Sequence, residues 1–292
     1  MMEEAIAKAQ VLTEALAYIQ RFRNRIVVIK CGGSMMDNPE AVADMLSDVV
    51  FMRTVGIRPV IVHGGGKAIS AAMAEAQLEV QFVQGRRYTD QRSLAIVEDV
   101  LVHAINDRIC ETITSLGAGA MGLHSLSSCV LFGEKLFLAD GERTRIDIGL
   151  VGSVTHVNAR LVRLLCAADT IPVIAPIAIS AAGAKLNCNA DTAAGEVAAA
   201  IGAEKFVVVS DTHGIRLDPE DAATTVTDAD EARIRELIDT GVIAGGMLPK
   251  VGACLRALDA GVRRAHIIDG HYPHALLLEI FTERGVGTLI HQ

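Results

Sequence analysis

The chain has no tryptophan, and phenylalanine and tyrosine make up only 3% of its 292 residues. Platforms for stacking single-stranded bases are therefore not expected. Acidic residues outnumber basic ones, 35 to 27, for a formal charge of −8. That balance argues against nonspecific contact with nucleic acid or an anionic membrane. No apolar run is long enough to span a bilayer. Glu3 and Glu4 stand where a secretory signal would be basic, so a cytoplasmic protein, or the mature form of an organellar one, is expected. The six cysteines, Cys31, Cys110, Cys129, Cys166, Cys188 and Cys254, form no C-x-x-C pair and are expected to be buried free thiols. No H-E-x-x-H occurs, and His266, His271 and His274 lack the spacing of a helical metal site. No protein-built metal site is expected.

What is present is a large apolar fraction, 51%, enough for one α/β unit or two closely packed lobes. Residues 3–23 repeat apolar side chains at helical spacing, with Ile6, Leu12, Leu16, Ile19 and Phe22 on one stripe. From there apolar strands alternate with helices. Strands are predicted at 26–30, 58–63, 171–177, 205–210 and 264–268. Helices are predicted at 39–55, 66–77, 90–116, 158–168, 191–202, 229–240, 249–261 and 273–282, with a short final strand. Residues 123–157 read as strand-rich, with a hydrophilic turn at Asp140 to Arg145. Such alternation implies a mainly parallel sheet covered on both faces, with the ligand at the carboxyl ends of its strands.

Four segments carry the chemistry. Ile26–Ser34 (IVVIKCGGS) and Val60–Gly66 (VIVHGGG) run from β-branched residues straight into glycines, an arrangement that brings backbone N–H groups close to an anion. Asn187–Ala194 (NCNADTAA) places two amides and a carboxylate together, and Gly246–Val251 (GMLPKV) sets a lysine beside a glycine. Glycine turns plus Lys30 and Lys250, with no evident acid–base pair, suggest phosphoryl transfer. Each residue also has a simpler reading. Asp191 would serve as a helix cap, Asn187 and Asn189 as turn residues, Arg87 as a solvated loop charge, and Lys67 as a surface lysine at a helix start. Lys30 is harder to dismiss, because a lysine ending an apolar strand is costly if unpaired. Gly117–Gly122 matches G-x-G-x-x-G but follows a helix, so it reads as a helix-ending loop.

Taken together, these segments resemble the N-acetyl-L-glutamate kinases of the amino-acid kinase family over essentially the whole chain, from Ile26 to Thr288. The resemblance implies a three-layer αβα sandwich with a central, mainly parallel sheet and an added N-terminal helix. It divides the chain into an N-terminal helix (1–25), an N-acetylglutamate lobe (26–180) and an ATP lobe (181–292). It implies that Lys30 and Lys250 stabilise the transferring phosphoryl group and that Asp191 organises both lysines. Gly65, Gly66, Arg87 and Asn187 would hold N-acetyl-L-glutamate. Gly32, Gly33, Ser210, Asp211, Gly214, Ile215, Val242 and Ala244 would approach ATP, whose phosphates would hold Mg²⁺.

The N-terminal helix and the C-terminal stretch further resemble arginine-inhibited members. There Tyr18, Lys205, His266, Glu279 and Gly287 would border an arginine site, and the helices would join three dimers into a homohexamer. The chain departs from the family pattern at Tyr88, at Thr212-His213 and at His271. Two alternatives stay open: a kinase for an aminoadipate-type acceptor, and a catalytically silent arginine-binding regulator.

Overall fold

The computed structural model describes residues 2–140, 144–282 and 285–292. Gly141, Glu142 and Arg143 of the expected turn, and Glu283 and Arg284 of the C-terminal stretch, lie outside the described residues. An eight-stranded sheet forms the centre. Its spatial order is Asp228–Asp230, Gly287–His291, Arg264–Asp269, Lys205–Ser210, Ile26–Cys31, Arg58–His63, Thr170–Ile174 and Gly119–Leu123. Every neighbouring pair is parallel except Arg264–Asp269 with Gly287–His291.

The central strands are β-branched because both of their faces are covered. In Ile26–Cys31, Val27, Ile29 and Cys31 face the layer containing helix Pro39–Thr54 and the 91–115 helix. Val28 faces the layer of Ala190–Ile201 and Met247–Asp259. The result is a helix–sheet–helix sandwich, as the alternation implied. The two expected lobes share this sheet, since Ile26–Cys31 pairs with Arg58–His63 on one side and Lys205–Ser210 on the other.

Four further strands, Leu131–Asp140, Thr144–Val157, Ile177–Ile179 and Lys185–Cys188, close into a small barrel. The expected strand 171–177 is split between the two sheets: Thr170–Ile174 stays in the centre, and after Pro176 the chain enters the barrel at Ile177. Proline cannot donate to a ladder, so it marks the crossing.

The helix expected at 90–116 runs unbroken from Gln91 to Ser115, with Val100–Asp107 wound as a π-helix. The G-x-G-x-x-G segment ends this helix at Gly117 and then becomes the edge strand Gly119–Leu123. The loop reading is corrected there, because Gly119 and Gly122 lie within the strand, in register with Thr170 and Val173. Sequence periodicity also missed the Phe82–Val83/Arg86–Arg87 hairpin and the strand Lys185–Cys188.

Helix Met2–Phe22 lies outside the sandwich. Phe22 is buried at its base, and the Tyr18 ring meets the edge of Phe281 at 6.4 Å. Ile6 and Leu16 remain about half exposed.

Candidate active site

Side-chain alternation places Lys30 on the same strand face as Val28, toward helix Ala190–Ile201. The second residue of that helix is Asp191. Lys30 Nζ lies 2.9 Å from Asp191 Oδ1, and both side chains are buried. A buried ammonium without a counter-charge would be strongly destabilising, so each group accounts for the other. Asp191 is not the helix cap; that role belongs to Asn189, whose Oδ1 accepts from the Thr192 N–H at 3.0 Å.

A cleft of about 250 Å³ opens above this pair. Lys30, Lys250, Arg87, Asn187 and the Gly64–Gly66 turn line it, together with Gly32 and Gly33. Helices Gly66–Glu75, Ala190–Ile201 and Met247–Asp259 all begin at its wall. Three positive helix ends and four cations, Lys30, Arg86, Arg87 and Lys250, make it an anion site with one carboxylate. Lys250 Nζ donates to the Gly246 carbonyl at 3.1 Å. Among the described residues Asp191 is ion-paired with Lys30 and not with Lys250. Of the two lysines that Asp191 was expected to organise, the structure places only Lys30 beside it, and Lys250 folds back on its own helix turn.

Arg87 is buried and clamped. One guanidinium nitrogen donates to the Gly66 carbonyl at 2.9 Å and to Ser70 Oγ at 2.7 Å. The Phe82 ring lies 4.8 Å from its central carbon. Burial lowers its pKa, a direction that marks a cation short of counter-charge. Asn187 Nδ2 donates to Thr89 Oγ1 at 3.1 Å, and that hydroxyl donates to the Arg87 carbonyl at 3.0 Å. Thr89 is fully buried and links the two residues expected to hold the substrate. Gly65 packs so tightly on the π-helical turn that a Cβ there would lie 2.7 Å from Ile105 Cδ1 and 2.9 Å from Leu101 Cδ2.

A second cavity, about 340 Å³, is lined by Asp211, Gly214, Ile215, Val242 and Ala244, with Ile243 and Met247. It gathers most of the residues expected on the nucleotide side. Ser210 is fully buried behind it and donates to Asp211 Oδ1 at 3.2 Å. Gly33, at φ +75°, lines the first cavity and abuts Asp211 of the second: a Cβ there would lie 2.9 Å from the Asp211 carboxyl carbon, so only glycine suits the turn.

The departures at His213 and His271 form one arrangement. Both imidazoles bracket the buried Asp269 carboxylate, His213 Nδ1 at 2.5 Å and His271 Nδ1 at 2.9 Å. Tyr88 is partly exposed beside Arg87.

At the other end of the molecule Lys205, His266 and Glu279 are buried together. His266 Nδ1 lies 2.6 Å from Glu279 Oε1, while Oε2 accepts from the Val286 N–H at 3.0 Å. Burial lowers Lys205 to about 8. Tyr18 reaches this region through Phe281, and Gly287 pairs with Ile268 in the sheet.

Among the described residues no three His, Cys, Asp or Glu side chains are placed to hold a metal ion. The central cleft offers a single carboxylate, Asp191, already taken by Lys30. A magnesium ion here would draw its oxygens from the nucleotide phosphates, which suits its preference for few protein ligands.

Comparison with known proteins accords with this geometry. Residues 25–269 match the model of the amino acid kinase family. The chain belongs to the amino acid kinase family. Among curated members, it is 44% identical over 288 residues to the acetylglutamate kinase of Synechocystis sp., covering 99% of this chain and 95% of that one. It is also 44% identical to the acetylglutamate kinase of Moorella thermoacetica, covering 98% and 97%. Among solved structures, an N-acetylglutamate synthase from Neisseria gonorrhoeae superposes with a TM-score of 0.85 at 22% identity. It covers 97% of this chain, and this chain spans 63% of it, a likeness of fold alone. As an amino acid kinase the chain is a phosphoryl-transfer enzyme, and no described helix is long and apolar enough to cross a membrane.

Proposed function

We propose that the enzyme transfers the γ-phosphoryl group of ATP to the side-chain carboxylate of N-acetyl-L-glutamate, giving N-acetyl-L-glutamyl 5-phosphate for arginine biosynthesis. The observation that carries this reading is the convergence of Lys30, Lys250, Arg87, Asn187 and the Gly64–Gly66 turn on one cleft. The extensive likeness to acetylglutamate kinases supports it.

The chemistry needs no base. The acceptor carboxylate is ionised at neutral pH, and its oxygen attacks the γ-phosphorus. An O–P bond forms, the bond to the β,γ-bridging oxygen breaks, and ADP leaves with the electron pair. The difficulty is bringing one anion against another. Lys30, held by Asp191, and Lys250 offset the charge on the transferring group. Arg87 offers its fork to a carboxylate of the acceptor, and Asn187, oriented by Thr89, offers an amide. Gly66 opens the helix N-terminus toward the same space. Magnesium, when bound, would neutralise phosphate charge and orient the phosphates. The nucleotide would occupy the cavity of Asp211, Gly214, Ile215, Val242 and Ala244, with Gly32 and Gly33 at its phosphate end.

Regulation by arginine is part of the same reading. The buried Lys205–His266–Glu279 group beside the base of the N-terminal helix is the proposed effector region, with Tyr18 and Gly287 at its border. The exposed Ile6 and Leu16 on that helix are the proposed contacts between dimers in a hexamer, and the location is taken to be the cytoplasm. Because both Glu279 oxygens are engaged, the arginine would have to share or displace His266.

An ADP-release assay offering N-acetylglutamate, glutamate, aspartate and N-acetyl-aminoadipate side by side tests the acceptor. Turnover with N-acetylglutamate far above the others is expected; preference for N-acetyl-aminoadipate or complete silence would overturn the reading.

A further inference from the structure

His63 closes the strand Arg58–His63 immediately before the Gly64–Gly66 turn, and it is wholly buried. Its ring touches two polar groups. Nδ1 lies 3.1 Å from the Gly64 carbonyl oxygen, and Nε2 lies 2.9 Å from Asn106 Nδ2. Asn106 is also wholly buried, on the π-helical turn Val100–Asp107. Its Nδ2 makes a second contact, 3.0 Å to the Val173 carbonyl.

That second contact decides the tautomer. A carbonyl oxygen only accepts, so the atom facing Val173 is the amide nitrogen. One of its hydrogens goes to Val173 and the other points at His63 Nε2. Nε2 must then present a lone pair, and the ring hydrogen sits on Nδ1, donating to the Gly64 carbonyl. An imidazolium would set an Nε2–H against the amide hydrogens. Burial, in the same sense, pushes His63 down to about 4. The π-helical turn therefore grips the acceptor loop twice, through Leu101 and Ile105 against Gly65 and through Asn106 and His63 against Gly64.

We infer that His63 and Asn106 are a positioning pair: Asn106 donates to His63 Nε2 and thereby aims the His63 Nδ1–H at the Gly64 carbonyl, setting the turn that receives the acceptor. This rests on the reading of Gly65 and Gly66 as part of the acceptor site. Neither residue touches the substrate in this assignment. Their effect is on the acceptor's KM, with the KM for ATP unchanged.

Asn106→Asp reverses the donor at one atom while keeping the shape. The carboxylate can only accept, so His63 must carry a proton on Nε2. When the ring is an imidazolium, Nδ1 still donates to Gly64. Once it loses a proton with Nε2–H retained, the Nδ1 lone pair faces the Gly64 oxygen and the turn is no longer held. The variant raises the His63 pKa, so the defect grows as pH rises through it. The ionisable groups around His63 are Cys31, paired with it across the sheet, Cys110, whose Sγ lies 3.9 Å from Asn106 Oδ1, Asp107, next to Asn106, and His124 beyond the edge strand. Burial raises the Cys31 thiol to about 12 and the Cys110 thiol to about 11, and it lowers His124.

Two measurements test the pair. In the wild-type protein, ¹⁵N spectra of labelled histidine, with His63 assigned by its loss in His63→Gln, should show protonated Nδ1 and bare Nε2, unchanged from about pH 6 to pH 9. A protonated Nε2, or titration near neutrality, overturns the assignment whether or not any variant folds. In Asn106→Asp, the KM for N-acetylglutamate relative to wild type should rise with pH over that range by on the order of tenfold, the scale of one lost hydrogen bond. A ratio that stays flat overturns the positioning role. A wild-type enzyme inert toward N-acetylglutamate would defeat the acceptor reading, leaving the imidazole signature to decide the tautomer independently.

Discussion

Thr89 Oγ1 stands between Asn187 and Arg87, accepting from the Asn187 amide at 3.1 Å and donating to the Arg87 carbonyl at 3.0 Å. Thr89→Val keeps the shape and removes both bonds. The KM for N-acetylglutamate should rise about tenfold, the scale of one or two lost hydrogen bonds, with the KM for ATP unchanged. Equal rises for both substrates in initial-rate kinetics would place Thr89 in the general framework instead.

The two lysines should differ in stability while agreeing in activity. Lys30→Ala and Lys250→Ala should each lower kcat by on the order of 10²-fold, as for a lost preorganised donor. Lys30→Ala also leaves Asp191 buried and unpaired, a loss of about 3–5 kcal/mol, so its Tm should fall clearly. Among the described residues Lys250 is bonded only to its own helix turn, and its variant should melt as the wild type does. Calorimetry beside turnover separates the two effects.

His274 Nδ1 lies 2.7 Å from Asp48 Oδ1, tying the start of helix Ala275–Phe281 to helix Pro39–Thr54. Asp48 raises the His274 pKa, and burial raises that of Asp48. For both groups the folded value exceeds the unfolded one. Their contribution is therefore fully present below the unfolded values and is lost as pH rises through the folded ones. For His274 that loss falls above about pH 6.5, the ordinary imidazole value. Urea midpoints should drop between about pH 6 and pH 8 in wild type and drop less in His274→Gln. Parallel declines would remove the pair from the pH response.

Deleting residues 1–24 should convert a hexamer to dimers, preserve turnover and blunt arginine inhibition. Glu279→Ala should weaken inhibition without changing oligomer size. Light scattering with arginine titration of activity checks both. A full-length dimer indifferent to millimolar arginine would overturn this regulatory reading and leave the kinase chemistry untouched.

The alternation of strands and helices was legible because buried parallel strands need unbroken apolar runs. Lys30 was legible because a lysine has no business ending such a run unless a partner waits. Its tie to Asp191 follows from strand alternation only once the packing helix is known. The strand Lys185–Cys188 was hidden by its polar residues, and the 82–87 hairpin by its brevity. The π-helical turn left no mark in the 3.6-residue pattern. Thr89, His63 and Asn106 escaped notice because their partners lie far off in sequence: Thr89 with Asn187, and His63 with Asn106 and through it Val173. The pairing of His213 and His271 on Asp269 was equally invisible, although each residue stood out separately.

The strand Ile26–Cys31 has one neighbour close behind it in the chain and the other far downstream, at Lys205–Ser210. During synthesis it leaves the ribosome early, and at about 5–20 residues per second its second edge waits roughly ten seconds or more for a partner. Until then a row of backbone donors and acceptors next to Lys30 stands open, the kind of edge that invites pairing with another nascent chain. A break in the chain between the two halves would not yield two independent folding units, because each fragment would carry one unfinished side of the same sheet. Coexpressed fragments divided near residue 181 should therefore recover activity only by assembling with one another.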